Sequence, residues 1–138
     1  MNGIRFATQI DTGLSDGWKR ETRLSLNVNE AFVKRLRDEG FGIEFYGEPV
    51  MLTTCKVGNL DKLQTFRITG GTFVSMIDTG GKRHPVKSVS FTLKSGGKDC
   101  GGLNTWTEPT AQIGASWFEE WGVFSLDPGT KRFWVTDM

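Results

Sequence analysis

Residues 24–40 read LSLNVNEAFVKRLRDEG, and the period of their apolar side chains changes at Asn29. Up to that residue, apolar and polar side chains alternate, as they do along a β-strand. Beyond it, the apolar residues fall three and four positions apart, which is the spacing along one face of an α-helix. The sequence therefore predicts a strand from Trp18 to Val28 that leads directly into a helix over residues 30–39.

The ends of this predicted helix have a physical explanation. Asn29 suits the N-cap, because its short side chain accepts hydrogen bonds from the free N–H groups of the first turn. Glu30 follows it, where a negative charge suits the helix dipole. Gly40 suits the position just past the last turn, where glycine is common. Leu36 and its apolar neighbours are expected to face the core.

Gly, Pro and Asn residues divide the rest of the chain at intervals of about 8–12 residues, which is typical of a sheet-rich protein. Further strands are predicted at 2–11, 42–46, 50–57, 63–69, 72–78, 87–94, 123–126 and 131–136. We expect strand 2–11 to pair in antiparallel fashion with strand 18–28. Asp127-Pro128-Gly129-Thr130 separates the last two strands as a turn, so the chain is predicted to close on a hairpin.

A second helix is predicted over residues 110–121, because Gly114, Trp117, Phe118 and Trp121 fall at helical spacing. The predicted fold class is α+β. It consists of an antiparallel sheet, a sandwich or a partly closed barrel of about 7–9 short strands, with two short helices at about 30–39 and 110–121. No repeat or linker divides the chain, so we predict a single domain over residues 1–138.

The N-terminal sequence, the apolar runs and the two cysteines indicate where in the cell the protein is expected. No apolar run reaches the roughly 18–20 residues that span a bilayer, and no secretory signal is visible at Met1 and beyond. We therefore expect a cytoplasmic protein that does not bind membranes, placed in the host cytoplasm if the chain is viral. Cys55, in an apolar stretch, and Cys100, in a glycine-rich loop, are expected to be reduced.

The sequence contains no clear motif for a catalytic site, a metal site or a phosphate-binding loop. His84 is the single histidine; Asp78 could orient it as a general base, but its Gly- and Pro-rich surroundings predict a solvent-exposed turn residue. One histidine and two distant cysteines give no paired spacing for a metal, so none is predicted. Gly97-Lys98 lacks the preceding glycine of a phosphate-binding loop. We predict no catalytic residues, no cofactor and no enzymatic activity.

Charge is distributed unevenly along a chain whose net charge is only +1. Residues 56–98 carry eight basic and two acidic side chains, whereas residues 99–138 carry two basic and six acidic ones. Basic side chains beside aromatic ones favour binding of single-stranded nucleic acid. Phe91, however, shares a face with Val89 and Leu93 and is expected in the core. The candidate residues for nucleic acid or another anionic ligand are Lys82, Arg83, Lys87, Lys94 and Lys98.

Tryptophans concentrate towards the C-terminus, where seven of the sixteen aromatic residues lie within residues 99–138. They are too many to point easily into one core, so at least one is expected at the surface as an anchor for a partner or a stacking ligand. The alternative is a Trp-rich core that closes on the first helix. The candidate residues for partner or ligand stacking are Trp106, Trp117, Trp121 and Trp134.

Together these features predict a small, non-enzymatic binding or interaction module. It would act through a basic β surface (56–98) and an aromatic, acidic C-terminal surface (106–134), on a protein partner or a small ligand. A phage or mobile-element accessory protein fits this general profile. Two alternatives remain open: a single-stranded nucleic-acid-binding protein, and a structural subunit of a larger assembly.

Overall fold

The computed structural model describes residues 6–11, 24–53, 60–71, 74–86, 89–96, 102–114, 117, 123–127, 129 and 132–136, with backbone alone for the strands at 123–127 and 132–136. This part of the chain contains eleven strands, one α-helix and one 3-10 turn. In chain order the elements are β1 (Ala7–Asp11), β2 (Leu24–Val28), α1 (Glu30–Asp38), β3 (Ile43–Phe45), β4 (Val50–Thr53), β5 (Leu60–Ile68), β6 (Val74–Ile77), β7 (Arg83–Val86), β8 (Val89–Ser95), the 3-10 turn (Leu103–Thr105), β9 (Thr110–Gly114), β10 (Val123–Asp127) and β11 (Arg132–Thr136).

Seven strands form one mixed sheet in the order β1-β9-β2-β8-β5-β3, with β4 also paired to β5. The pairs β1–β9 and β2–β8 are parallel, and the other pairs of this sheet are antiparallel. β6 with β7 and β10 with β11 form two separate two-stranded sheets. The described part of the chain is thus mostly sheet, with α1 as its one complete helix, which confirms the α+β class in its broad form.

Three finer expectations about the sheet are wrong. The main sheet is mixed rather than antiparallel, its described strands form neither a sandwich nor a barrel, and β9 lies between β1 and β2, which were expected to pair. The physical reason is that alternation shows which face of a strand is apolar but not which strand lies beside it. A parallel pair also requires a long crossover, and the whole stretch from α1 to β7 lies between β2 and β8.

Helix α1 forms where the apolar period changes, and both of its ends are as predicted. The Asn29 Oδ1 atom accepts from the Phe32 backbone N–H at 3.0 Å. At the other end, Gly40 has φ +87°, and the backbone N–H groups of Gly40 and Phe41 donate to the carbonyls of Arg37 and Leu36. This pair of bonds is the Schellman arrangement, which satisfies the last carbonyls of the helix.

The core lies between α1 and one face of the main sheet, and the β6–β7 hairpin contributes to it. Full burial of each large apolar side chain stabilises the fold by about 1.5–3 kcal/mol relative to exposure. Phe66 and Phe91 face each other across β5 and β8 with ring centroids 5.4 Å apart, so the expected core position of Phe91 is confirmed. The buried cluster consists of Leu26, Val28, Phe32, Val33, Leu36, Phe66, Ile68, Met76, Phe91, Ala111, Ile113 and Trp117.

The second predicted helix, over residues 110–121, is wrong for its first five residues, while Trp117 has helical backbone. Residues 110–114 form β9, which is central in the sheet and pairs with β1 on one side and β2 on the other. Apart from Trp117, the remainder of that range lies outside the described residues. The predicted closing hairpin is confirmed by the antiparallel pair β10–β11. No helix of the described residues has the length and apolar character needed to cross a membrane.

Candidate functional site

The loop between β8 and β9 is held in place by two asparagine side chains. We call residues 102–109 the anchored loop. It begins with the 3-10 turn, in which Leu103 is buried, and it leads into β9 at Thr110. Its own short-range bonds run from the Thr105 N–H and hydroxyl to the Gly102 carbonyl, at 3.0 and 2.7 Å. A turn this short needs support from outside to keep one conformation.

Asn29 supplies the first support. Besides capping α1, its Oδ1 atom accepts from the Thr110 backbone N–H at 3.0 Å. Its Nδ2 group donates to the carbonyls of Leu103, Trp106 and Glu108, at 3.2, 3.3 and 2.8 Å. An amide nitrogen has two hydrogens, so at least one hydrogen is shared between two carbonyls. One fully buried side chain therefore fixes the helix start and the anchored loop together.

Asn104 supplies the second support, from within the loop itself. Its Oδ1 atom accepts from the Glu30 backbone N–H at 2.9 Å, which ties the loop to the first turn of α1. Its Nδ2 group donates to the carbonyls of Lys94 and Gly96, at 2.7 and 2.8 Å, which ties the loop to the end of β8. The anchored loop is thus bonded to both a helix and a strand of the scaffold.

Trp106 lies at the outer side of this loop. The residue is 45% exposed, while its carbonyl accepts from Asn29. Thr105, Thr107 and Glu108 beside it are exposed as well. A large aromatic ring in solvent exposes apolar surface that a partner could bury. Exposed aromatic rings on a fixed backbone are common as interface anchors. Among the predicted stacking residues, Trp106 is the one described at the surface.

The other three predicted stacking residues differ from Trp106. Trp117 is fully buried, and its indole Nε1 donates to the Ser25 carbonyl at 2.7 Å, so it serves as a core residue with its polar atom satisfied. Trp134 lies in β11, opposite Ser125, but its side chain is outside the described residues. Trp121 lies outside them entirely. The structure therefore does not bring these four tryptophans together as one described surface.

The predicted basic residues are spread over different elements. Lys82 and Arg83 are exposed at the end of the β6–β7 hairpin, where the Arg83 guanidinium donates to the Ser75 hydroxyl at 3.1 Å. Lys94 lies on β8 in the main sheet, with its Nζ atom 3.7 Å from Asp61 Oδ2. Lys87 and Lys98 lie outside the described residues, as do Cys55 and Cys100.

Two further observations bear on the nucleic-acid alternative. The Arg67 guanidinium lies 3.7 Å from Glu44 Oε1 and 4.6 Å from the centre of the Tyr46 ring, so part of the positive charge is already paired. Phe66 and Phe91 stack on each other inside the core, which leaves neither ring free to stack on a base. Among the described residues of this segment, the basic side chains and the rings of Phe66 and Phe91 therefore do not share a surface.

His84 is buried, which corrects the expectation of a solvent-exposed turn residue. It lies on β7 opposite Met76, its side chain is 4% exposed, and its Nε2 atom donates to Asp78 Oδ2 at 3.0 Å. The other carboxylate oxygen of Asp78 accepts from the Lys82 backbone N–H at 2.9 Å. The bond from His84 lowers the pKa of the Asp78 carboxyl below its usual value, and the bond from Lys82 acts in the same direction, while burial opposes them.

This pair closes the hairpin, and only 4% of the His84 side chain is exposed. A general base must reach the proton that it removes. Within the described part of the chain, no three His, Cys, Asp or Glu side chains lie close enough to hold a metal ion. Sequence reasoning missed the roles of Asn104 and of Asn29 beyond its cap, because their partners lie in distant segments.

The anchored loop is the feature with the clearest capacity for binding, since it combines an exposed aromatic ring with a fixed backbone. The described basic residues Lys82, Arg83 and Lys94, by contrast, lie on different elements, and the Asp78–His84 pair is internal. Comparison of the chain with protein-family models, with curated proteins and with solved structures gives no match.

Proposed function

We propose that this protein is a non-enzymatic binding module that docks a protein partner through the anchored loop, with Trp106 as the central contact. A cytoplasmic location is part of the proposal. The observation that carries it is the half-exposed Trp106 on a loop whose carbonyls accept from Asn29 and whose Asn104 side chain bonds α1 and the end of β8. Binding residues are often found on loops that a rigid scaffold positions.

Fixing the loop before binding has an energetic consequence. Ordering a flexible segment on association costs free energy, and a segment that is already ordered avoids most of that cost. A tryptophan that enters a pocket on a partner buries a large apolar surface while it loses few rotatable bonds. The hydrogen bonds of the two asparagines therefore favour tight binding by a small contact area.

The test is site-specific photo-cross-linking followed by affinity measurement. A photoreactive phenylalanine analogue at position 106 should cross-link one main partner, which mass spectrometry identifies. The purified partner should then bind Trp106→Ala at least about 30-fold more weakly than the unchanged protein, the loss expected when a central aromatic anchor is removed. Ile77→Ala is the matched control, because Ile77 is 44% exposed but lies on the β6–β7 hairpin.

Two outcomes would contradict the proposal. One is that Trp106→Ala binds the partner as tightly as the unchanged protein. The other is that the analogue at position 77 cross-links the same partner as efficiently, which would show that contact at 106 is not specific. Trp106→Phe, which keeps an aromatic ring, should recover part of the lost affinity.

A single-stranded nucleic-acid-binding protein is the second candidate. The observation in its favour is the adjacent pair Lys82 and Arg83, both exposed at the hairpin end. A structural subunit that uses the Trp-rich segment 106–134 as its contact is a third, and it would share the Trp106 surface with the leading proposal. The salt dependence of oligonucleotide binding separates the second candidate from the other two.

A further inference from the structure

Asn29 and Asn104 bring two glutamates to the same part of the surface as Trp106. The carbonyls of Trp106 and Glu108 both accept from the Asn29 Nδ2 group, at 3.3 and 2.8 Å. Glu30 follows Asn29 in the chain, and its backbone N–H donates to Asn104 Oδ1 at 2.9 Å. The backbones of Glu30, Trp106 and Glu108 are therefore held together by the side-chain amides of the two asparagines.

Both glutamates are exposed, and their charge is not neutralised by the described part of the chain. Among the described residues, no ion pair involves either Glu30 or Glu108. Lys34 lies one helical turn along from Glu30, a spacing at which opposite charges usually pair. Its Nζ atom instead lies 2.7 Å from Asp38 Oδ2. Two carboxylates beside the half-exposed tryptophan thus remain available to a partner.

An exposed indole with carboxylates beside it suits a cation. The face of an indole ring carries partial negative charge and attracts the side chain of arginine or lysine, arginine being the more frequent. The planar guanidinium of arginine stacks on an aromatic ring and can donate two N–H groups to one carboxylate. A phosphate backbone, by contrast, would bring its negative charge beside the two glutamates. The charges at this site therefore favour a basic protein segment over nucleic acid.

We propose that the partner of the anchored loop binds through an arginine-bearing segment. An arginine of the partner stacks on Trp106, while Glu30 and Glu108 bind its guanidinium or that of a second arginine nearby. This inference rests on the proposed function, because it names the chemistry of the partner that docks there. It adds that charge, as well as apolar area, decides which partner fits, since complementary charges give specificity and speed the encounter.

The test uses as probes the peptide acetyl-Gly-Arg-Gly-Arg-Gly-amide and two analogues, with citrulline or with glutamate in place of arginine. The readout is the indole N–H NMR signal of Trp106, assigned from its absence in Trp106→Phe. At low salt the arginine peptide should shift this signal and saturate in the millimolar range. Citrulline has the shape of arginine without its charge, so its peptide should bind at least about 5-fold more weakly. The glutamate peptide should not bind.

The double variant Glu30→Gln/Glu108→Gln keeps the size of both side chains and removes their charge. It should bind the arginine peptide about 5-fold more weakly at low salt, and its binding should depend less on salt. Glu44→Gln/Glu48→Gln is the matched control, because it removes the same charge from β3 and the loop that follows it. The control should bind the arginine peptide as the unchanged protein does.

The proposal is overturned if no peptide shifts the Trp106 signal, or if the arginine and citrulline peptides bind equally. Unchanged binding of the arginine peptide by Glu30→Gln/Glu108→Gln would also overturn it. So would a single-stranded oligonucleotide that binds at Trp106 more tightly than the arginine peptide.

The partner that cross-links at position 106 keeps the failure of this inference distinct from failure of the proposed function. If Trp106→Ala weakens binding of that partner while Glu30→Gln/Glu108→Gln does not, docking on the anchored loop stands and the preference for arginine fails. If Trp106→Ala leaves the affinity for that partner unchanged, the docking function itself fails.

Discussion

Asn29 shows how much of the fold depends on one short side chain. Its amide accepts from two backbone N–H groups and donates to three carbonyls, so it connects α1, the anchored loop and the start of β9. A carboxylate at this position could not donate, and a hydroxyl has a single oxygen with one hydrogen, so neither could serve both sets of partners. The position therefore requires an amide of this length.

We predict that Asn29→Ala lowers the free energy of unfolding by about 2–4 kcal/mol, the sum expected for a lost N-cap and for buried groups left without partners. Asn29→Ser should lose less, because its hydroxyl can still cap α1. Urea denaturation followed by circular dichroism measures both. Equal midpoints for the unchanged protein and Asn29→Ala would show that these bonds do not hold the loop.

The same residue marks how far sequence can predict individual roles. Its cap was predictable, because the cap depends on Phe32, three positions along the chain. Its bonds to the anchored loop were not, because they join residues more than seventy positions apart. His84 was predicted wrongly for a related reason. Its burial depends on its place opposite Met76 in a hairpin that local composition presents as a turn.

The β6–β7 hairpin is the element whose stability should respond to acid. It is a separate two-stranded sheet, and the Asp78 carboxylate bonds both the His84 ring and the Lys82 backbone across its end. Lys82 and Arg83 beside this pair are exposed and carry positive charge. A short ribbon of this kind has few other bonds to keep it closed.

We predict that the hairpin loses stability as the pH falls below about 5. The pKa of Asp78 is lower in the folded protein than its ordinary value, so its contribution is complete above that ordinary value. It disappears as the pH falls through the folded pKa and the carboxylate is protonated. Hydrogen exchange of the backbone amides of Arg83, His84 and Val86, measured from about pH 6 to pH 3, follows this loss.

Asp78→Asn should make the hairpin less stable near neutral pH and should remove most of its dependence on acid. Asp38→Asn is the matched control, because Asp38 pairs with Lys34 on the exposed side of α1, where such pairs contribute little. The interpretation fails if the unchanged protein and Asp78→Asn show the same dependence of exchange on pH.

Elements with a clear local period were predictable, and β9 shows why others were not. Helix α1 and strand β8 have apolar positions at their expected spacing, and both are found nearly where predicted. Strand β9 does alternate, with Ala111 and Ile113 on the core face and Thr110 and Gln112 on the other. Its five residues were too few to outweigh the helical spacing of Gly114 and Trp117, and this spacing led to a helix predicted over the strand.

At the scale of the whole molecule, the basic side chains that the structure describes within residues 56–98 lie on separate elements. Arg67 lies near Glu44 and Lys94 near Asp61, on different strands of the main sheet. Lys82 and Arg83 lie on the hairpin. The sequence gives the total charge of a segment, but the pairing of its strands decides which charges lie together, and that pairing was not predictable.

The salt dependence of binding to a single-stranded oligonucleotide measures how many of these charges act together. Each phosphate neutralised contributes about −0.7 to the slope of log affinity against log salt concentration. Lys82 and Arg83 alone therefore give about −1.4, and five residues on one surface give about −3.5.

We predict the slope of about −1.4, and loss of the remaining binding in the double variant Lys82→Ala/Arg83→Ala. Lys34→Ala/Arg37→Ala on α1 removes the same charge elsewhere and should bind as the unchanged protein does. A slope near −3.5 that survives the hairpin substitutions would contradict the divided surface, and no binding at low salt would eliminate the nucleic-acid alternative in favour of Trp106.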